Sequence, residues 1–331
     1  MKGVIVAKLN DYMRSTTNRM TNWEIGAHTT AGENANPLAL YKPMQARHKV
    51  AWMHKKENRM PQLAELFQTV KLPTMPEVAH TLIRTLNDED APVDTIRNAI
   101  SKDPALTVKL VRLANSARFS LPRTVSNLDD AILMTGMSQV RTLALSACLN
   151  DAFPVVEGLD RNEFWRESMA CAGYASWLAG HVGIDSQSAW LAGLMLRLGE
   201  LIIAQNVPGA LNEIERQPHL PGGRWERENH LLGYTESQVT AEMARRWNFP
   251  EEIVMGLNNA PDPMAAHPFS RLGGVLHLAE LLAETAPHSK DAQTAIDSMP
   301  QEVLQALQAD KPWLVAHMPD IDTFTDVATL H

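Results

Sequence analysis

Residues 189–205 constrain this chain more than any other stretch, because they are apolar nearly all round and only Arg197 and Glu200 interrupt them before the polar end. A helix without a polar face has to be surrounded by other helices, so the segment predicts the central helix of a bundle. Its apolar part is shorter than the roughly 20 residues that span a bilayer, and no membrane span is expected. Inside it lies Gly193-Leu194-Met195-Leu196-Arg197-Leu198-Gly199-Glu200. Leu196 has no lone pair to offer a metal ion, and the Arg197 guanidinium is positively charged at any ordinary pH.

Helix punctuation elsewhere points the same way. Pro76 opens a segment in which Val78, Leu82, Ile83 and Leu86 recur at helical spacing, ending at Asn87-Asp88. Asp103-Pro104 is a start signal, since Asp caps free backbone N–H groups and Pro suits the first helical position. Leu106, Leu110, Leu113 and Ala117 then share a face. Ser126 and Asp129 have the spacing of a capping box, and the helix they open carries Ile132 and Leu133 and stops at Gly136. Ser138 is placed to cap the next helix, with Val140, Leu143, Ala144 and Ala147 along it. Further helices are predicted from Asp160 through Gly180 and over residues 235–247, 250–258 and 269–285, with residues 218–227 read as a polar connection. No alternating strand pattern and no fixed-period repeat is visible. The expected fold is all-α, a multi-helix bundle in two packed halves, residues 61–153 and 159–285, with a hinge around Pro154 and Gly158. A basic, partly irregular extension over residues 1–60, with one short helix between Val4 and Met20, precedes it. A tail of short helices over residues 286–331 follows.

Composition narrows the setting. Hydrophobic residues are 45% and aromatics only 6%, a soluble helical profile. Residues 1–60 hold ten Lys or Arg against four Asp or Glu, whereas the whole chain carries a net charge of −8. The body is therefore acidic and repels nucleic acid, and only the N-terminal arm could attract it. Cys148 and Cys171 do not form a CxxC pair, and the start of the chain has no apolar leader core, so reduced thiols and a cytoplasmic location are expected.

Several of these stretches, taken in order, resemble the motifs of the HDOD family, the HD-related output domains of bacterial signalling proteins. They are Leu72-Pro73-Thr74-Met75-Pro76, Asp103-Pro104-Ala105-Leu106, the run from Leu110 to Ser116 and that from Ser126 to Gly136. Phe164-Trp165, Gly193 to Gly199, Trp247 with Pro250, and His277-Leu278-Ala279-Glu280 complete the series. The resemblance spans about residues 65–285. It implies a helical bundle related to the HD phosphohydrolase scaffold and a signalling role, usually without demonstrated catalysis. It places Leu196 and Arg197 where an HD enzyme carries its adjacent His-Asp metal pair. By the same likeness Glu167 and Glu236 stand near upstream His positions, Asn258-Asn259 near a common His pair, and Glu280 near a late Asp. The resemblance therefore implies a degenerate metal site, with no catalytic residue and no cofactor.

Each sharper reading has an ordinary competitor. Glu167, Glu236 and Glu280 could hold an oxygen-seeking cation such as Mg²⁺ or Mn²⁺, but Arg197 favours ion pairing with them. Arg197 and Glu200, three apart, can also pair along their own helix. No HxxxH, HExxH or HD pair occurs among the twelve histidines. His277 reads as a satisfied core histidine and His181 as a helix-end residue bonding free carbonyls or the helix dipole. Cys148 and Cys171 read as buried, inert thiols. Gly222-Gly223-Arg224 could meet a phosphate, with a solvated loop preferred. The helix–Gly136–helix unit could present Ser138, Gln139 and Arg141 to DNA bases, although core packing suits its Val and Leu residues better. Arg47, His48, Lys49, Trp52, His54, Lys55, Lys56 and Arg59 cluster in the N-terminal arm and could meet an acidic partner, a nucleic acid or an anionic membrane, against the ordinary reading of a solvated arm.

The function expected from these observations is a non-catalytic regulatory module that binds another signalling protein or a small ligand. The cleft around Arg197 is the candidate ligand pocket. One alternative is a divergent metal-dependent nucleotide phosphohydrolase in which carboxylates replace histidines. Another is a nucleic-acid-associated regulator that uses the basic arm.

Overall fold

The computed structural model describes residues 62–325, apart from 87, 89–90, 116–121, 154–155, 157–158, 217–221 and 290. The helix expected between Val4 and Met20 and the basic cluster from Arg47 to Arg59 lie outside the described residues. Among those described, every regular element is helical.

The first half comprises α1 (Gln62–Thr69), α2 (Glu77–Leu86), α3 (Val93–Ser101), α4 (Pro104–Ala114), α5 (Leu128–Thr135) and α6 (Met137–Ala152). The Asp103 carboxylate accepts the Leu106 N–H at 3.0 Å and Pro104 occupies the first turn, so α4 starts where the Asp-Pro signal put it. Leu106, Leu110 and Leu113 are buried along it. The cap of α5 is displaced by one residue. Asn127, not Ser126, is the cap, accepting the Asp130 N–H, while the Asp130 carboxylate accepts the Ser126 N–H at 3.2 Å. Ser138 caps nothing, because α6 begins at Met137 directly after Gly136, whose positive φ of 86° turns the chain between the two helices. Leu133 on α5 is 78% exposed, so only part of that helix's apolar set reaches the core. Helix α6 is buried almost continuously from Val140 to Asn150 and packs against α2, α3, α4 and α5.

The second half is built around α7 (Arg161–Val182), which packs against α8 (Ser186–Met195) and α14 (Arg271–Thr285). Small residues make this close approach feasible: a Cβ on Gly193 of α8 would lie 2.8 Å from the Ala172 Cα of α7. The remaining elements are α9 (Leu198–Asn206), α10 (Ala210–Arg216), α11 (Arg224–Leu231), α12 (Glu236–Arg246) and α13 (Glu251–Asn259). Contacts run from α9 to α12, from α12 to α13 and from α13 to α14, while α8 also touches α6 of the first half.

The expected single central helix is in fact two. It breaks between Met195 and Leu198, where Arg197 adopts φ −93° and ψ 0°. The cause is a contact from outside the segment. The Thr240 hydroxyl on α12 accepts the Gly199 N–H at 2.7 Å and faces the Leu196 carbonyl at 3.2 Å, replacing bonds a continuous helix would make internally.

The tail contains α15 (Ala292–Asp297), α16 (Gln301–Leu307) and α17 (Lys311–His317), the short helices expected there. Trp313 of α17 stacks on His181 at 4.1 Å, on His317 at 4.5 Å and on Trp177 at 6.0 Å between ring centroids. Phe324 lies over Gly173 of α7, where a Cβ would come within 2.1 Å of the ring. Described residues of both halves and of this tail share one hydrophobic core.

Candidate functional site

The break between α8 and α9 turns Arg197 toward a group of carboxylates. A Cβ on Gly199 would lie 1.9 Å from the Glu236 carbonyl, so glycine alone lets the start of α9 rest on the start of α12. Leu196 is fully buried among apolar residues. Arg197, 8% exposed, pairs with Glu167 of α7, with Glu200 of α9 at 3.2 Å and with Glu280 of α14 at 3.8 Å. The sequence expectation of an Arg197–Glu arrangement matches for Glu167, Glu280 and the local pair with Glu200, whereas Glu236 pairs with Arg224 instead.

A second arginine extends the group. Arg224, the first residue of α11, lies 3.0 Å from Glu200, 2.6 Å from Glu215 and 3.1 Å from both Glu228 and Glu236. Glu228 also accepts the Glu236 N–H at 2.8 Å. Sequence reading missed Glu215 and Glu228 and took Arg224 for a loop residue, and that preferred solvated loop is overturned here: Gly223 ends the connection and Arg224 is buried in a helix. The available signal was the four-residue spacing of Arg224 and Glu228, followed by Thr235 and Gln238, which form a full capping box for α12.

Charge balance in this cleft sets the protonation states. Burial disfavours the Arg197 charge, yet Glu200, Glu280 and Glu167 more than offset it and hold the guanidinium ionised. Burial also works against Glu200, but Arg224 and Arg197 keep its carboxyl below the usual range. At Glu280 burial wins and pushes the pKa up to about 7, with Arg197 opposing. Glu236 rises well above its usual range through burial despite Arg224, and Glu228 rises for the same reason. One oxygen each of Glu236 and Glu280 and the Nε of Arg197 are buried without a hydrogen-bond partner.

The other sequence candidates lie outside these ion pairs. Asn258 and Asn259 sit at the end of α13 and bond to each other at 3.2 Å, with no contact to either arginine among the described interactions. His277 places Nδ1 2.8 Å from the Ala260 carbonyl, and burial lowers its pKa, so it is the satisfied neutral histidine expected. His181 departs from expectation: its Nε2 accepts the Asp310 N–H at 3.0 Å, so it holds the tail instead of bonding helix-end carbonyls. Arg141 donates to the Thr85 carbonyl at 2.7 Å, which turns it onto α2 and away from any DNA-facing surface. Cys148 and Cys171 are buried; burial raises the Cys148 thiol to about 12 and Cys171 likewise far above its usual value. Among the described residues no three His, Cys, Asp or Glu side chains are grouped to hold a metal ion, and no helix is long and apolar enough to cross a membrane.

The HDOD domain family model matches residues 72–263, more than half of the chain. The chain belongs to the HDOD family. An uncharacterized protein of Treponema pallidum (strain Nichols) is 26% identical over 190 residues, covering 55% of this chain and 36% of its own length. This HDOD chain thus spans about a third of the curated relative it matches. Among solved structures, a candidate phosphohydrolase from Shewanella amazonensis superposes with a TM-score of 0.68 at 26% identity, covering 83% of this chain and 99% of that one. An HDOD domain protein of unknown function from Geobacter sulfurreducens gives 0.69 at 21% identity with the same coverage. A candidate signal transduction protein from Marinobacter aquaeolei gives 0.67 at 22%, covering 81% and 64%. The last two establish the fold, the HD-related helical bundle expected from the sequence.

Proposed function

We propose that this HDOD protein is a non-catalytic regulatory module of signal transduction, acting by binding a signalling partner or a small ligand. The observation that carries the reading is the Arg197 guanidinium seated among Glu167, Glu200 and Glu280. An HD-type metal pair needs two lone-pair donors side by side, and Leu196 and Arg197 supply none. A cation placed here would also meet Arg197 and Arg224 directly, so the donor set does not fit a divalent metal. The name of the Marinobacter structure supports a signalling role, and that of the Shewanella structure keeps a divergent phosphohydrolase as the competing outcome.

Metal analysis of protein purified without chelators or a metal-affinity tag, paired with a nucleotide phosphodiesterase assay in Mn²⁺ or Mg²⁺, decides between them. Less than about a tenth of an ion per chain with no turnover is expected, given how strongly such hydrolysis depends on metal. Near-stoichiometric metal with turnover overturns the reading. The nucleic-acid alternative rests on the basic cluster including Arg47, Lys49, Trp52, Lys55, Lys56 and Arg59. It requires salt-sensitive DNA or RNA binding that is lost when residues 1–60 are removed.

A further inference from the structure

We propose that residues 310–324 are a detachable strap seated in a docking groove on α7, and that the groove takes an aromatic-anchored segment of a signalling partner when the strap lifts. The groove is one stripe of the helix. Gly173, Trp177 and His181 recur every fourth residue and so share a face, with Tyr174 beside them. Its two ends hold aromatic rings differently. At one end Gly173 leaves a hollow that the Phe324 ring fills, edge-on to Tyr174 at 5.2 Å between centroids. At the other end Trp177 and His181 form a platform on which Trp313 lies nearly parallel, at 18° and 10° to the two rings. The His181 Nε2 fixes the register by accepting the Asp310 N–H.

Little else holds the segment that fills this groove. Helix α17 is seven residues long with only Leu314 buried, and the 3₁₀ turn that follows, Ile321–Thr323, buries none. Helices this short do not persist by themselves. The remaining ties are weak. Lys311 pairs with Asp297 of α15 at 2.6 Å where water reaches both side chains, and the Tyr174 hydroxyl comes no closer than 3.5 Å to the Pro319 carbonyl. Helix α7, by contrast, is buried along most of its length and packs on α8 and α14. A segment with few buried residues and exposed hydrogen bonds opens at lower free energy than the body beneath it, so the groove can be uncovered while α7 stays folded.

An uncovered groove with a ring-sized hollow at one end and a ring platform at the other suits a segment anchored by two aromatic side chains, the residues that dominate protein interfaces. Trp313 and Phe324 imitate that partner from within the chain. A tethered imitation competes at an effective concentration of order millimolar, which keeps the groove closed until a partner is held nearby. The inference rests on the reading of this protein as a partner-binding module and names the surface that meets the partner.

Hydrogen exchange of the unmodified full chain, resolved by residue, tests the strap. Amides of residues 310–324 should exchange together and at least about tenfold faster than those of α7 and α14. Exchange at the rate of α7 would mean that the tail opens only with the whole fold, and overturns the proposal. A labelled synthetic peptide of residues 310–325 tests the groove. The full-length W313A/F324A variant, with its own strap weakened, should bind this peptide about tenfold or more tighter than the parent chain, and a peptide carrying F324A should bind correspondingly worse. Equal binding by parent and variant, or none up to ~1 mM, overturns the groove. The exchange measurement decides the strap even if the double variant fails to fold. Metal-dependent nucleotide turnover would instead overturn the non-catalytic reading and leave the strap standing.

Discussion

Glu200 meets Arg197, three residues back along the chain, at 3.2 Å, and spends only one carboxylate oxygen on it. The other oxygen lies 3.0 Å from Arg224, so a single buried carboxylate bridges two buried guanidinium groups. Removing either cation leaves carboxylates that water reaches poorly. Arg197→Ala should therefore cost about 3–5 kcal/mol in urea unfolding near pH 8. The cost should shrink near pH 5, where Glu280 is protonated and one fewer negative charge is stranded. An equal cost at both pH values would refute this account of the network.

Glu280 ties stability to pH in its own right. Its pKa rises from 4.5 unfolded to about 7 folded, so folding favours the protonated form. The stability this contributes is full below about 4.5 and is lost as pH rises through 7, amounting to at most about 3 kcal/mol. Glu236 and Glu228 shift the same way, and Glu200 the opposite way. Glu280→Gln, neutral throughout, should gain on the parent protein in thermal midpoint between pH 5 and pH 8. A constant difference across that range would count against the buried carboxyl.

Two glycines separate steric from conformational demand. Gly199→Ala drives a methyl to within 1.9 Å of the Glu236 carbonyl and should cost 3 kcal/mol or more, of order the largest single-residue effects. Gly209→Ala meets nothing within 4 Å and is strained only by its φ of 80°, for about 1–2 kcal/mol. Chemical denaturation of the pair should preserve that order.

Phe324 and Gly173 should behave as one unit. Phe324→Ala empties the hollow over α7 and should cost about 2–4 kcal/mol. Gly173→Ala fills the same space and expels the ring. A double-mutant cycle should show strong non-additivity, because the second change has little left to remove. Simple addition would mean that the ring is not seated there.

The fold was largely readable because its helices announce themselves. Asp103-Pro104 is a local cap signal that needs no tertiary partner, and the helices expected from Asp160 and from residue 235 start at side-chain caps there. The break at Leu196-Arg197 was not, because Thr240, more than forty residues away, imposes it. At the site, Arg197 with Glu167 and Glu280 could be anticipated from the HDOD likeness. Arg224 could not: it stands after two glycines, where a loop is the natural reading, and its burial depends on four glutamates from four different elements.

Arg197 and Arg224 together bring two positive charges to these carboxylates, the charge of one divalent ion. They are carried by the chain from synthesis onward. No chelator can strip them, so under the proposed non-catalytic reading these two charges reach the carboxylates without drawing on the metal supply of the cell.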